Sequence, residues 1–237
     1  MASIEIGSIA MQINRKAIKH LHISVLPPDG RVRVSAPETM SDTAIRMAVI
    51  SRISWIRKQQ SDFARQPRQS DREMISGESH YLWGRRYRLD VIERSGRHEV
   101  NTAPGKLRLW VQPGASVDQR RRALDAFYRH QLKERVQKLL PLWQDRAGVE
   151  VVDWGVKKMK TKWGSCNTQV RRIWLNLELA KKPPECLEYI LVHELVHLLE
   201  RNHNDRFRAH MDRLLPDWRE RRDLLNRMPL AHNNWVY

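Results

Sequence analysis

The chain has 237 residues, 41% hydrophobic and 30% charged, which is enough to bury a core and too apolar for wholesale disorder. Its 10 Gly and 11 Pro exclude collagen-like and low-complexity classes, and its two cysteines, Cys166 and Cys186, exclude a disulfide framework or an all-cysteine zinc site. Lys and Arg number 43 against 27 Asp and Glu, so the formal charge is +16 and polyanions, nucleic acid first among them, are candidate partners.

The opening residues carry no basic stretch followed by an apolar one, and no apolar run approaches the ~20 residues needed to span a bilayer. The expectation is a soluble, cytoplasmic protein with no membrane partner. Residues 20–26 alternate, with Leu21, Ile23 and Val25 on one face. A turn at 27–30 and a second short strand through Val32 and Val34 complete a hairpin. The period then changes: Ile45, Ala48, Ile53, Ile56 and Phe63 predict one helix over 42–63. Residues 64–79 are polar, broken by Pro67 and Gly77, and predict a loop.

Strands return from His80. Tyr87, Leu89 and Val91, turns at Ser95-Gly96 and Pro104-Gly105, and then Leu107, Leu109 and Val111 predict an antiparallel meander. Ser116 and Gln119 form a capping-box pattern, and Leu124, Tyr128, Leu132, Val136 and Leu139 predict a helix ending near Pro141. Residues 150–163 read as extended, with Lys158, Lys160 and Lys162 on one face. Residues 172–177 read as a strand with Ile173, Leu175 and Leu177 inward. No internal repeat is evident. The resulting expectation is an α+β chain in two parts: a β-rich antiparallel amino-terminal region with one long helix over 1–115, and a second domain over 116–237.

Residues 184–200, PECLEYILVHELVHLLE, predict a helix that is apolar nearly all round and therefore buried. Its middle nonetheless carries His193, Glu194 and His197, which need partners there. Histidines at i and i+4 share a helix face and can converge on one ion, and the intervening glutamate stands beside that ion as a base for a bound water. This is the H-E-x-x-H pattern of zinc hydrolases. His203 is the favoured third ligand because its tether is short; Glu200, His210 and Glu220 are the alternatives. A helix end near Arg201, with Asn202 left-handed, turns the chain back to present it. Three imidazoles leave a fourth position open for water. The next helix starts at Asn204 and Asp205, carries Phe207, Met211 and Leu214, and ends at Pro216. Candidate donors to a developing oxyanion are Asn176, Tyr189, Arg206 and His210.

With these residues in view, the chain resembles the YgjP-like metallopeptidases, a zincin-like family related to the SprT-like proteases. The resemblance rests on K-W-G-S-C at 162–166, I-W-L-N at 173–176, Pro183-Pro184, Y-I-L-V-H-E-L-V-H at 189–197, and Asn202-His203 with Phe207. Fainter matches fall at 29–37, Trp55-Ile56 and 84–87, so it extends from about residue 10 to residue 225. The outer histidine spacing is that of H-E-x-x-H-x-x-G-x-x-H, but Glu200 stands where that pattern has Gly. The resemblance implies a zincin-like core, Zn2+ on His193, His197 and His203, and Glu194 as the catalytic residue of a peptidase. By analogy with the SprT-like proteases it also implies substrates among nucleic-acid-associated proteins. The alternative reading is a nucleic-acid-binding protein whose zinc site is structural or degenerate.

Overall fold

Alternating buried and exposed residues build two four-stranded sheets of one design, each in its own compact unit. The computed structural model describes residues 2–26, 30–65, 73–159 and 162–227, without the side chains of 2–4 and 62–65. The first unit lies within Met1–Ser70 and the second within Asp71–Met228.

In the first unit, β1 (Ala2–Ile6), β2 (Ile9–Lys16), β3 (His22–Leu26) and β4 (Arg31–Pro37) form a sheet in the order β1-β2-β4-β3. The predicted hairpin is β3 and β4, paired antiparallel. The β1–β2 hairpin was not anticipated, and β2 pairs with β4 in parallel. Ile9, Met11, Ile13, Val32, Val34 and Ala36 bury one face of the sheet against Ile45, Val49 and Ile56. These last three lie on two helices, α1 (Asp42–Ile50) and α2 (Ile53–Arg65), where a single helix was expected. The break falls at Ser51, whose hydroxyl donates to the Ala48 carbonyl and competes with the helical ladder. The turn at 27–29, the Phe63 side chain, residues 66–72 of the expected loop and Lys160 lie outside the described residues.

In the second unit, β5 (Ser79–Leu82), β6 (Arg85–Glu93), β7 (Glu99–Ala103) and β8 (Lys106–Val111) take the order β5-β6-β8-β7. Because β6 and β8 pair in parallel, this is not the expected meander. The inward residues Leu89, Leu107, Leu109 and Val111 share one core with Leu124, Tyr128, Leu132 and Val136 of α3 (Val117–Ala147). A boundary at 115/116 would cut through this core; the compact unit begins instead within the polar stretch near residue 71. Helix α3 also continues past Pro141. Proline there removes one backbone donor, and burial of Leu140, Trp143 and Ala147 on the same face outweighs that loss. The helix stops at Gly148, at φ 67, a left-handed conformation that favours glycine.

The two sheets correspond in sequence as well as in order. Residues 30–36 and 105–111 align without a gap and place Val32, Val34 and Ala36 against Leu107, Leu109 and Val111, all buried. In the same register Ser41 matches Ser116. Each is the N-cap of the helix that follows, accepting a hydrogen bond from the backbone N–H three residues on. Val49 and Leu124 then face their respective cores. The repeat escapes sequence inspection because hydrophobic character, more than residue identity, is what it keeps.

A third sheet has the order β10-β11-β9, formed by β9 (Asp153–Lys157), β10 (Gly164–Asn167) and β11 (Arg172–Asn176). Lys158 and Lys162 therefore do not share a strand, and Lys158 pairs with Asp125 at 2.7 Å. Leu177, expected in a strand, opens a short 3₁₀ segment, Leu177–Lys181. Helices α4 (Pro184–Val196), α5 (Asp205–Leu214) and α6 (Trp218–Arg227) complete a mixed α+β chain. Among the described residues no helix is long and apolar enough to cross a membrane.

Candidate metal centre

Helix α4 starts at Pro184, whose ring suits the first turn, and buries Leu187, Leu191, Val192, Leu195 and Val196 in the second unit's core. Its rotation is fixed from the side opposite the histidines. Glu188 accepts a hydrogen bond from Trp143 Nε1 at 3.1 Å and pairs with Arg221, tying α4 to α3 and α6. Tyr189 stacks on Trp218 with ring centroids 6.4 Å apart.

The helix ends at Val196, earlier than expected, and a tight turn follows in which the N–H groups of Leu198 and Leu199 bond back to Leu195 and Val196. Asn202 does not take the expected left-handed conformation. Its N–H instead donates to the Glu200 carboxylate at 3.2 Å, which closes the loop. Asn204 caps α5 by accepting from the Phe207 N–H at 3.0 Å. This loop carries His203 back to α4.

His193, His197 and His203 each offer one ring nitrogen, and the three nitrogens lie within 4.8 Å of one another. Nε2 of His193 and Nε2 of His203 are 3.0 Å apart. Burial, helped by the neighbouring imidazoles, pushes His193 down to about 3 and lowers His197 as well, so both are neutral near pH 7. His197 Nδ1–H donates to the Glu200 carbonyl at 3.3 Å, which leaves Nε2 as the free lone pair. His193 Nδ1 is buried without a hydrogen-bond partner among the described residues. Neutral nitrogens crowded in this way repel unless a proton or a cation lies between them. A tetrahedral zinc with bonds of ~2.0–2.1 Å would space its ligand nitrogens about 3.3 Å apart, so the donor set fits such an ion. The Phe207 ring closes the group from the protein side, with centroids 4.9, 4.9 and 4.7 Å from His193, His197 and His203.

Glu194 is 5% exposed and lies against β10. Burial pushes its carboxyl up to about 8, opposed by the Lys162 ammonium. A Cβ on Gly164 would stand 2.8 Å from Glu194 Cγ and closer still to its carboxylate, so only glycine leaves room for that side chain. Asn176, a candidate oxyanion donor, has its amide engaged elsewhere: Nδ2 donates to the carbonyls of Met159 and Lys162 at 2.9 and 2.8 Å. Tyr189, Arg206 and His210 do not line the cavity over the histidines, and neither Glu200, His210 nor Glu220 joins the histidine cluster.

That cavity, of about 710 Å³, is walled by β10 and by the face of α4 that carries Ile190, His193, Glu194 and His197. Lys162 and Arg201 are its cationic residues, and no motif or spacing marks Arg201 as part of the site. Cys166 also lines it, as a thiol that burial pushes up to about 11, in keeping with a non-nucleophilic cysteine.

A family model described as the YgjP-like metallopeptidase domain matches residues 19–228. No curated protein matches the chain. Among solved structures, the crystal structure of the metallopeptidase zymogen abylysin from Pyrococcus abyssi is similar, with 22% identity and a TM-score of 0.36. The match covers 40% of this chain and 99% of that one.

Proposed function

Because the chain belongs to the YgjP-like metallopeptidase family, we propose that it is a zinc-dependent peptidase in which His193, His197 and His203 hold Zn2+ and Glu194 is the catalytic carboxylate. The observation that carries this reading is the convergence of three imidazoles, neutral where burial sets their charge, beside a buried carboxylate on the wall of an open cavity. A zinc ion held there supplies Lewis acidity, acidifying water and polarising the peptide carbonyl.

The chain's own residues do the rest. Glu194 takes the proton of the attacking water as its oxygen bonds to the carbonyl carbon. It then delivers that proton to the leaving nitrogen as the C–N bond breaks. A carboxyl poised near neutrality serves both transfers, and Lys162 favours its ionised form. Among the described residues strand β10 pairs only with β11, so its other edge can add an extended peptide, whose main chain would then run beside Glu194. The alternative, a structural zinc site, calls for a fourth protein ligand; among the described residues the cluster has three.

The test is zinc analysis alongside cleavage of a casein-type substrate. The expected result is one zinc per chain, loss of cleavage on chelation, recovery when zinc is restored, and loss of both zinc and cleavage in His197→Ala. Cleavage that survives complete chelation would overturn the reading.

A further inference from the structure

The outer face of the second sheet has no part in the peptidase reading. Strand register places Ser79, Tyr81, Arg86, Arg88, Asp90, Lys106, Arg108 and Trp110 on that face, opposite the buried Leu89, Leu107 and Leu109. Its acids are already matched: Asp90 pairs with Lys106 at 3.4 Å and Glu99 with Arg94. Among the described residues, Arg86, Arg88 and Arg108 pair with no carboxylate, and all three are exposed. Three guanidinium groups therefore stand uncompensated on one flat face of a chain that carries +16.

We infer that this face binds single-stranded nucleic acid. Arg86 and Arg88 are two residues apart on one strand, about 7 Å along it. With Arg108 across the sheet they can meet successive backbone phosphates. Tyr81, the register partner of Arg86, leaves an aromatic ring beside them on which a base can stack. A sheet face with exposed arginines and a half-buried ring suits unpaired bases better than a duplex groove, which admits a helix or a narrow ribbon.

The experiment is fluorescence anisotropy of a labelled single-stranded 20-mer with the full chain over a salt series. The same oligonucleotide as a duplex and polyglutamate serve as comparisons. The expected result is preference for the single strand. The triple variant Arg86→Glu, Arg88→Glu, Arg108→Glu should lose most of that affinity, and its log-log salt slope should be shallower by about 2, the value for three phosphate contacts. Tyr81→Ala, which leaves the charge untouched, should weaken binding about tenfold with unchanged thermal unfolding. Equal binding of single strand, duplex and polyglutamate would overturn the inference, as would full affinity in the triple variant or in Tyr81→Ala. None of these readouts depends on peptide cleavage.

Discussion

Gly164 presses against Glu194: a Cβ at position 164 would lie 2.8 Å from Glu194 Cγ, nearer than any real side chain tolerates. The glycine of the K-W-G-S-C motif thus sets where the carboxylate stands relative to the three histidines. Gly164→Ala forces that carboxylate to move. The expected outcome is a fall in kcat/KM of about 10²-fold, the scale of an ångström's misplacement, with zinc content unchanged. Cleavage kinetics and metal analysis on the same preparation check it, and wild-type kcat/KM would show that the contact does not position Glu194.

Asn176 is 5% exposed and holds Met159 and Lys162 by their carbonyls, donating to both and accepting from the Glu178 N–H at 3.2 Å. Asn176→Ala leaves those buried groups unpaired and should cost about 2–4 kcal/mol in urea unfolding. Asn176→Asp, which points an acceptor at the two carbonyls, should cost no less. A loss below about 0.5 kcal/mol in both would contradict the clamp.

Phe207 touches all three histidine rings. Its truncation to Ala should weaken zinc binding about 10–100-fold in a chelator competition, the scale seen for residues that orient metal ligands. It should also destabilise the fold by about 3–5 kcal/mol. Phe207→Leu, which refills most of the space, should recover most of the zinc affinity. Equal weakening by both variants would mean that the aromatic ring, and not packing volume, matters.

Lys182 is 4% exposed, with its ammonium 5.6 Å from the Trp163 ring, and burial lowers it to about 8. Below pH 8 the folded chain carries a buried charge at a cost. Between pH 8 and the ordinary 10.5 the folded state releases the proton while the unfolded chain keeps it, so unfolding takes up a proton and stability rises with pH. The rise attributable to this residue should reach about 2–3 kcal/mol. Comparing urea midpoints from pH 7.5 to 10.5 in wild type and Lys182→Met checks it; the same slope in both would contradict the assignment.

What the sequence made legible follows from how local each feature is. The H-E-x-x-H pair needs only helical spacing, and His203 needs only a short loop, so their clustering could be read from residues 193–203. The Gly164–Glu194 contact and the Asn176 clamp depend on which strand lies beside α4, and that is a non-local choice. The parallel pairs β2/β4 and β6/β8 were missed for the same reason: alternation shows which face is buried, not which neighbour a strand takes. Pro141 and Asn202 misled in the opposite sense. Local propensity marked a helix end at one and a left-handed turn at the other, and core burial and the Glu200 carboxylate set the outcome.

The most direct measurement is peptide cleavage by Glu194→Gln protein fully loaded with zinc. The amide keeps the side chain's size and cannot accept the proton of water, so zinc should stay at one equivalent while cleavage falls by at least about 10³-fold. Cleavage at the wild-type rate with zinc in place would contradict the role assigned to this carboxylate.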